Sequence, residues 1–206
     1  MTMKIHLNIL LLLYVMALPQ AVQANQTILI FGDSLSAGYG IEREAAWGSL
    51  LQTTLRQTHP RYAVVNASIS GETTSGGVRR IGKAMAEHQP EVVILELGAN
   101  DGLRGTPLSE TEKNLNDIIQ QAKKANAKVL LLGIQIPPNY GLDYTKRFSA
   151  LYPKLAKKHQ VSLVGFMLKD IPPEQFQADN LHPNAAAQAQ ILRNVLPILQ
   201  PLLNVK

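Results

Sequence analysis

Residues 92–101 read Val-Val-Ile-Leu-Glu-Leu-Gly-Ala-Asn-Asp. Val92 to Leu97 is a run of strand formers with one acid in it, and Gly98 ends it. A short run that is apolar at consecutive positions fits a strand covered on both faces. The same pattern recurs on either side. Thr27-Ile-Leu-Ile-Phe31 ends at Gly32, and Lys128-Val-Leu-Leu-Leu-Gly133 forms another buried run. Tyr62–Val65 and Val161–Val164 are shorter strand-like pieces.

Helical patterns fill the intervals. Ala45–Thr58 stops before Pro60, and Val78–His88 is closed by Pro90. Ser109 and Glu112 have the spacing of a capping box, which opens a helix to about Ala125. Asp143–Lys158 reads as one helix kinked at Pro153. Pro183 begins an Ala-rich helix that runs towards Leu199. Short apolar strands alternating with helices predict an α/β fold: a three-layer α/β/α sandwich around a five-stranded parallel sheet, flavodoxin-like. No linker, repeat or low-complexity stretch divides it.

Composition narrows the function classes. The chain has 206 residues, 46% apolar and 17% charged, which excludes a disordered or fibrous protein. It has no Cys, so disulfides, thiolate metal sites and Cys nucleophiles are excluded. Twenty Lys and Arg against 15 Asp and Glu give a net charge of +5. The basic residues are scattered and only 5% of the chain is aromatic, which argues against nucleic acid as a partner.

Residues 1–24 stand apart. Lys4 precedes the apolar run Ile9–Leu18, Pro19 breaks it, and Val22-Gln23-Ala24 supplies small residues at a cleavage site. This is the layout of a secretory signal peptide cut after Ala24, leaving one domain over 25–206. Ten helical residues span about 15 Å, half of a roughly 30 Å hydrocarbon core, so a stable membrane anchor is not expected. The expected location is periplasmic or secreted.

In open α/β sheets, sites form at the carboxyl ends of the strands. Gly32-Asp33-Ser34-Leu35-Ser36 follows the first strand and sets Ser34 at that rim; a turn or cap serine is the plainer alternative. Gly71 follows the second strand, where a glycine lets backbone approach a ligand or simply makes a turn. Asn100 follows the third and offers an amide donor or an Asx-turn. Asp179-Asn180-Leu181-His182-Pro183 lies near the C-terminus. Asp179 can fix the imidazole of His182, or the pair can be a helix cap with an incidental histidine. A serine hydroxyl needs a base, and an oxyanion needs preorganised donors. Ser34, His182 and Asp179 would supply the first need. The N–H groups of Ser34 and Gly71 and the amide of Asn100 would supply the second.

These four blocks, in this order, resemble those of the GDSL, or SGNH, hydrolase family, whose letters fall on Ser34, Gly71, Asn100 and His182. The resemblance runs from Thr27 to about Leu199. Gly32–Gly40 with Trp47, and Leu97–Gly102, are similar to the exported thioesterase I / protease I / lysophospholipase L1 (arylesterase) group. The resemblance implies an SGNH hydrolase fold and a serine esterase. It would cleave carboxylic esters and thioesters of acyl chains through an acyl-serine intermediate, without a cofactor. Catalytic roles fall on Ser34, Asp179 and His182, and the oxyanion hole on Ser34, Gly71 and Asn100. Asp33 and Leu35 beside the nucleophile, and Ile136, Pro137 and Tyr140 in the loop after the fourth strand, are expected substrate contacts. Expected partners are small acyl esters, thioesters or lysophospholipids, acted on by a monomer. A carbohydrate acetylesterase of the same fold and a non-catalytic lipid- or glycan-binding relative are the alternatives.

Other features weigh little. No G-x-S-x-G or P-loop occurs. The histidines are far apart without an H-E-x-x-H, so no metal is expected. Ser75-Gly-Gly-Val-Arg-Arg80 reads as a helix lead-in with solvated charges, or as a flexible loop whose arginines meet an anionic head group. Trp47 reads as core.

Overall fold

The computed structural model describes residues 26–203. The proposed signal peptide lies outside them. Five parallel strands form one sheet: β1 (Gln26–Gly32), β2 (Tyr62–Asn66), β3 (Val92–Glu96), β4 (Lys128–Leu132) and β5 (Ser162–Val164). Their order is β2-β1-β3-β4-β5, the flavodoxin-like arrangement. The topological switch falls between β1 and β3, whose register pairs Ile30 with Ile94 and Gly32 with Glu96.

Helices cover both faces. They are α1 (Ser34–Ala37), α2 (Trp47–Thr58), α3 (Thr74–His88), α4 (Ala99–Leu103), α5 (Leu108–Lys124), α6 (Leu142–Ser149), α7 (Leu151–His159) and α8 (Gln188–Leu199). Strand side chains alternate between two cores, as the two-residue period requires. Leu29, Phe31, Val93, Leu95, Val129 and Leu131 pack with α3, α5 and α7. Ile28, Ile30, Val92, Ile94, Leu130 and Leu132 pack with α2 and α8. Both faces are therefore buried, which is why the strands read as continuous apolar runs. Trp47 is fully buried in the second core. Among the described residues, no helix is long and apolar enough to cross a membrane.

Several local expectations are corrected. α3 begins at Thr74, four residues before Val78, so Ser75–Arg80 is helix and not a flexible loop. Thr73 caps it, its hydroxyl accepting from Gly76 N–H. The glycines are there for space: a Cβ on Gly77 would stand 2.6 Å from Leu97 Cδ1. The Ser109–Glu112 capping box does not form. α5 starts at Leu108 after Pro107 without a side-chain cap, and Glu112 pairs with Lys154 at 2.7 Å. The helix expected over 143–158 is two helices, broken at Ala150. Pro153 cannot donate to the carbonyl of Ser149 and its ring crowds it, so the helix restarts with Pro153 in its first turn. After Pro183 the chain first makes a 3₁₀ turn, Ala185–Ala187, capped by Asn184, before α8.

Candidate active site

Ser34, Asn100 and His182 meet at the carboxyl ends of the strands. Ser34 is the first residue of α1, directly after β1. Asp33 caps that turn, its Oδ1 accepting from Leu35 N–H at 3.0 Å. His182 Nε2 lies 2.8 Å from Ser34 Oγ, across 148 residues of chain. His182 Nδ1 lies 2.7 Å from Asp179 Oδ2. The Nδ1–H tautomer satisfies both contacts: it donates to the carboxylate and leaves Nε2 to accept the serine proton.

The loop that carries this pair is self-bracing. Asp179 Oδ1 accepts from Leu181 N–H at 2.9 Å and His182 N–H at 3.0 Å. Desolvation pushes this carboxyl up, but the bonds from His182 N–H, its ring and Leu181 N–H outweigh it and hold the group at about 2. The Tyr39 ring packs against the imidazole at a tilt of 42°, with ring centroids 4.6 Å apart.

The candidate oxyanion donors lie beyond the ends of three strands. Gly71 sits in the loop after β2, clamped through its neighbours. Arg104 donates to Gly71 O at 3.2 Å. Arg80 donates to Glu72 Oε2 at 2.6 Å and Ala67 O at 2.8 Å, with its guanidinium 4.0 Å over the Phe31 ring. Arg80 is thus a brace for this loop, engaged with protein groups and not with a substrate head group. Asn100 Nδ2 donates to Glu72 O at 3.0 Å and Asp33 Oδ2 at 3.2 Å. These bonds aim the amide nitrogen between the β1 and β2 ends. An oxyanion there would share or exchange one of them.

An apolar pocket opens beside Ser34 on the β4–β5 side. Ser34, Asn100 and His182 line it together with Leu103, Ile134, Ile136 and Leu168. Its volume is about 70 Å³. A larger groove of about 800 Å³ runs between α2 and edge strand β2, but Ser34, Asn100 and His182 do not line it.

The sequence-proposed contacts divide. Leu35, Ile136 and Pro137 line the pocket. Asp33 does not: it is fully buried under the turn and presents no surface to a substrate. Burial pushes its carboxyl up to about 6 against the pull of Leu35 N–H, the His182 charge and the Asn100 amide. Tyr140 lies in a surface 3₁₀ turn, 41% exposed, outside the pocket lining. Three positions escaped sequence reasoning, Tyr39, Glu72 and Glu96, and Arg80 reads there only as a solvated charge or a head-group contact. Only Glu96 left a trace there, as the lone acid in an apolar strand.

Residues 30–190 match the model of the GDSL-like Lipase/Acylhydrolase family. The chain belongs to that family. This GDSL hydrolase is 47% identical over 182 residues to Esterase TesA of Pseudomonas aeruginosa, covering 87% of this chain and 90% of that one. It is 44% identical over 194 residues to Thioesterase 1/protease 1/lysophospholipase L1 of Escherichia coli K12, covering 93% and 92%. The crystal structure of the psychrotrophic esterase EstA from Pseudoalteromonas sp., inhibited by monoethylphosphonate, superposes with a TM-score of 0.82 at 39% identity. It covers 87% of this chain and 100% of EstA. The fold and the serine-hydrolase class expected of the GDSL hydrolase are therefore those of its relatives.

Proposed function

We propose that the chain hydrolyses acyl esters at Ser34, with His182 as base, Asp179 as its orienter, and Ser34 N–H, Gly71 N–H and Asn100 Nδ2 as oxyanion donors. The observation that carries this is the continuous relay Asp179–His182–Ser34, with contacts of 2.7 and 2.8 Å. His182 Nε2 takes the hydroxyl proton as Ser34 Oγ attacks the acyl carbon. The three donors hold the oxyanion. His182⁺ then protonates the leaving oxygen or sulfur, and the acyl group stays on Ser34. Water attacks this acyl-serine while His182 takes its proton; His182⁺ then returns that proton to Ser34 Oγ as the acyl–oxygen bond breaks and the carboxylic acid leaves. Asp179 stabilises the imidazolium in both steps.

The substrate side rests on the pocket. Its walls, Leu103, Ile134, Ile136 and Leu168, suit the first carbons of an alkyl chain better than a sugar. Its size admits only the start of a chain, so a longer acyl group would continue across the surface. The relatives' printed names support carboxylic esters, thioesters and lysophospholipids as substrate classes for this chain. The N-terminal layout over 1–24 supports export, which would put lysophospholipids and other esters within reach.

Hydrolysis of p-nitrophenyl esters from acetyl to palmitoyl, with Ser34→Ala beside the wild type, tests the reading. Activity that extends beyond acetyl and falls about 10⁶-fold in the variant is expected. Activity confined to acetyl esters would shift the reading to an acetylesterase. Absence of turnover and of fluorophosphonate labelling would leave a binding protein.

A further inference from the structure

Beneath the nucleophile lies a pair of acids with no part in the steps above. Glu96, the last residue of β3, and Asp33 are both fully buried. Glu96 Oε2 accepts from Ser36 Oγ at 2.8 Å and Asp33 N–H at 3.2 Å. A Cβ on Gly32 would stand 2.6 Å from this same oxygen, so the nucleophile turn is built around the Glu96 carboxyl. The bonds continue outward from it. Ser36 O accepts from Asn66 Nδ2 at 2.7 Å, and Asp33 Oδ2 accepts from Asn100 Nδ2. One hydrogen-bonded cluster, fully buried at Asp33, Ser36 and Glu96, therefore ties the ends of β1, β2 and β3, and each of those ends leads to one proposed oxyanion donor.

The chemistry of the cluster calls for a proton. Glu96 Oε1 finds no donor, and Glu96 Oε2 accepts from the N–H of Asp33, so the two buried acids are immediate neighbours and the Asp33 charge raises the Glu96 carboxyl further. Two carboxylates in contact in an apolar interior repel; they attract when they share one proton. The other titratable groups that act on the pair are His182, from the loop before α8, and Tyr152 of α7, whose hydroxyl donates to Leu97 O at 3.1 Å. Asp101 of α4 adds its charge at Tyr152.

We propose that Glu96 is a positioning residue for the esterase site: as a neutral acid it donates to Asp33 and accepts from the nucleophile turn, so that Asp33 holds the Asn100 amide and the Ser34 turn in place for attack. The inference rests on the roles proposed above for Ser34 and Asn100. Burial, aided by the Asp33 charge, pushes the Glu96 carboxyl well above the usual carboxylate range. Both Asp33 oxygens already accept, from Leu35 N–H and Asn100 Nδ2, as those of a carboxylate do, whereas Glu96 Oε1 has no donor, so the shared proton is assigned to Glu96.

Glu96→Gln and Glu96→Ala, with Ser34→Ala beside them, test the proposal. Glutamine reproduces the neutral acid, with an N–H for Asp33 and an oxygen for Ser36 and Asp33 N–H. Its kcat is expected to stay within about threefold of wild type. Alanine removes the support, and kcat should fall about 10²-fold with KM within about threefold, as misplacement of a catalytic group does. The wild type should show the infrared C=O band of a protonated carboxyl at pH 7, absent from Glu96→Gln. A Glu96→Gln enzyme as slow as Glu96→Ala, a Glu96→Ala enzyme with full kcat, or a wild type without the band would each overturn the proposal. If Glu96→Ala does not fold, Glu96→Gln and the band decide it alone. Turnover by Ser34→Ala would instead sink the roles assigned under the proposed function. Loss in Ser34→Ala with undiminished Glu96→Ala sinks only the inference about Glu96.

Discussion

Asp33 and Asp179 flank the same serine–histidine pair, and their surroundings push them in opposite directions. Asp33 sits under the β1 turn, fully buried beside a second acid, with its carboxyl raised to about 6. Asp179 sits on a partly exposed loop, and three hydrogen bonds hold it at about 2. The nucleophile side is thus braced by the core, through Glu96, Ser36, Asn66 and Asn100. The base side is braced by its own short loop and by Tyr39. Desolvation governs the first region and local hydrogen bonding the second, although both place an aspartate beside Ser34 or His182.

That contrast can be broken at its strongest point first. Asp179→Asn keeps the oxygen that accepts from the Leu181 and His182 amides and replaces only the oxygen facing the ring. The loop should hold its fold while the imidazole loses its tautomer, and kcat should fall about 10⁴-fold. A fall of less than tenfold would mean that the loop's own bonds, not the charge, do the orienting. On the core-braced side, Asn100→Ala removes one oxyanion donor, and kcat should drop about 10²–10³-fold with a smaller change in KM. If instead thermal unfolding shifts sharply and kcat does not, Asn100 belongs to the brace and not to the chemistry.

Tyr39→Ala sharpens the contrast more gently. The ring contact with His182 is worth about 0.5–1.5 kcal/mol, so a two- to tenfold loss in kcat/KM is expected, with the midpoint of unfolding little changed.

The pH dependence of stability separates the two aspartates by sign. Asp33 has a folded pKa above its unfolded value of 3.8, so the native state binds more protons between about pH 4 and 6 and stability falls as pH rises through that window. Glu96 acts in the same sense. Asp179 has a folded pKa below 3.8, so its contribution is present above about pH 4 and is lost as pH falls towards 2. Urea midpoints measured from pH 2 to 8 should show the first slope flattened in Asp33→Asn and the second weakened in Asp179→Asn. The same slopes in both variants would erase the distinction.

The amino-acid sequence alone determined the strands, the parallel α/β class and the residue types at the strand ends. A strand buried on both faces must be apolar at consecutive positions, and the chemistry must follow it; both leave a local record. Gly32 to Ser36, Gly98 to Asp101 and Asp179 to Pro183 are such records, and so is the acid in the β3 run. Boundaries were legible only where nothing distant intervened. α3 starts early because Thr74 donates its N–H and hydroxyl to Asp101, 27 residues away, whereas the break in the 142–159 segment is local, at the Pro153 the sequence marked as a kink.

Tertiary structure decided the rest. The strand order β2-β1-β3-β4-β5 brings Ser34 to His182 across 148 residues, lays Arg80 over Phe31, and closes Asn100 onto Asp33. It also decided which aspartate would be buried and which left in water. Asp33 reads in the sequence as a substrate contact beside Ser34, but the pairing of Gly32 with Glu96 turns it inward against a second carboxyl. Charge state is set by the dielectric and the donors that surround a group, and those arrive from elements far apart in the chain.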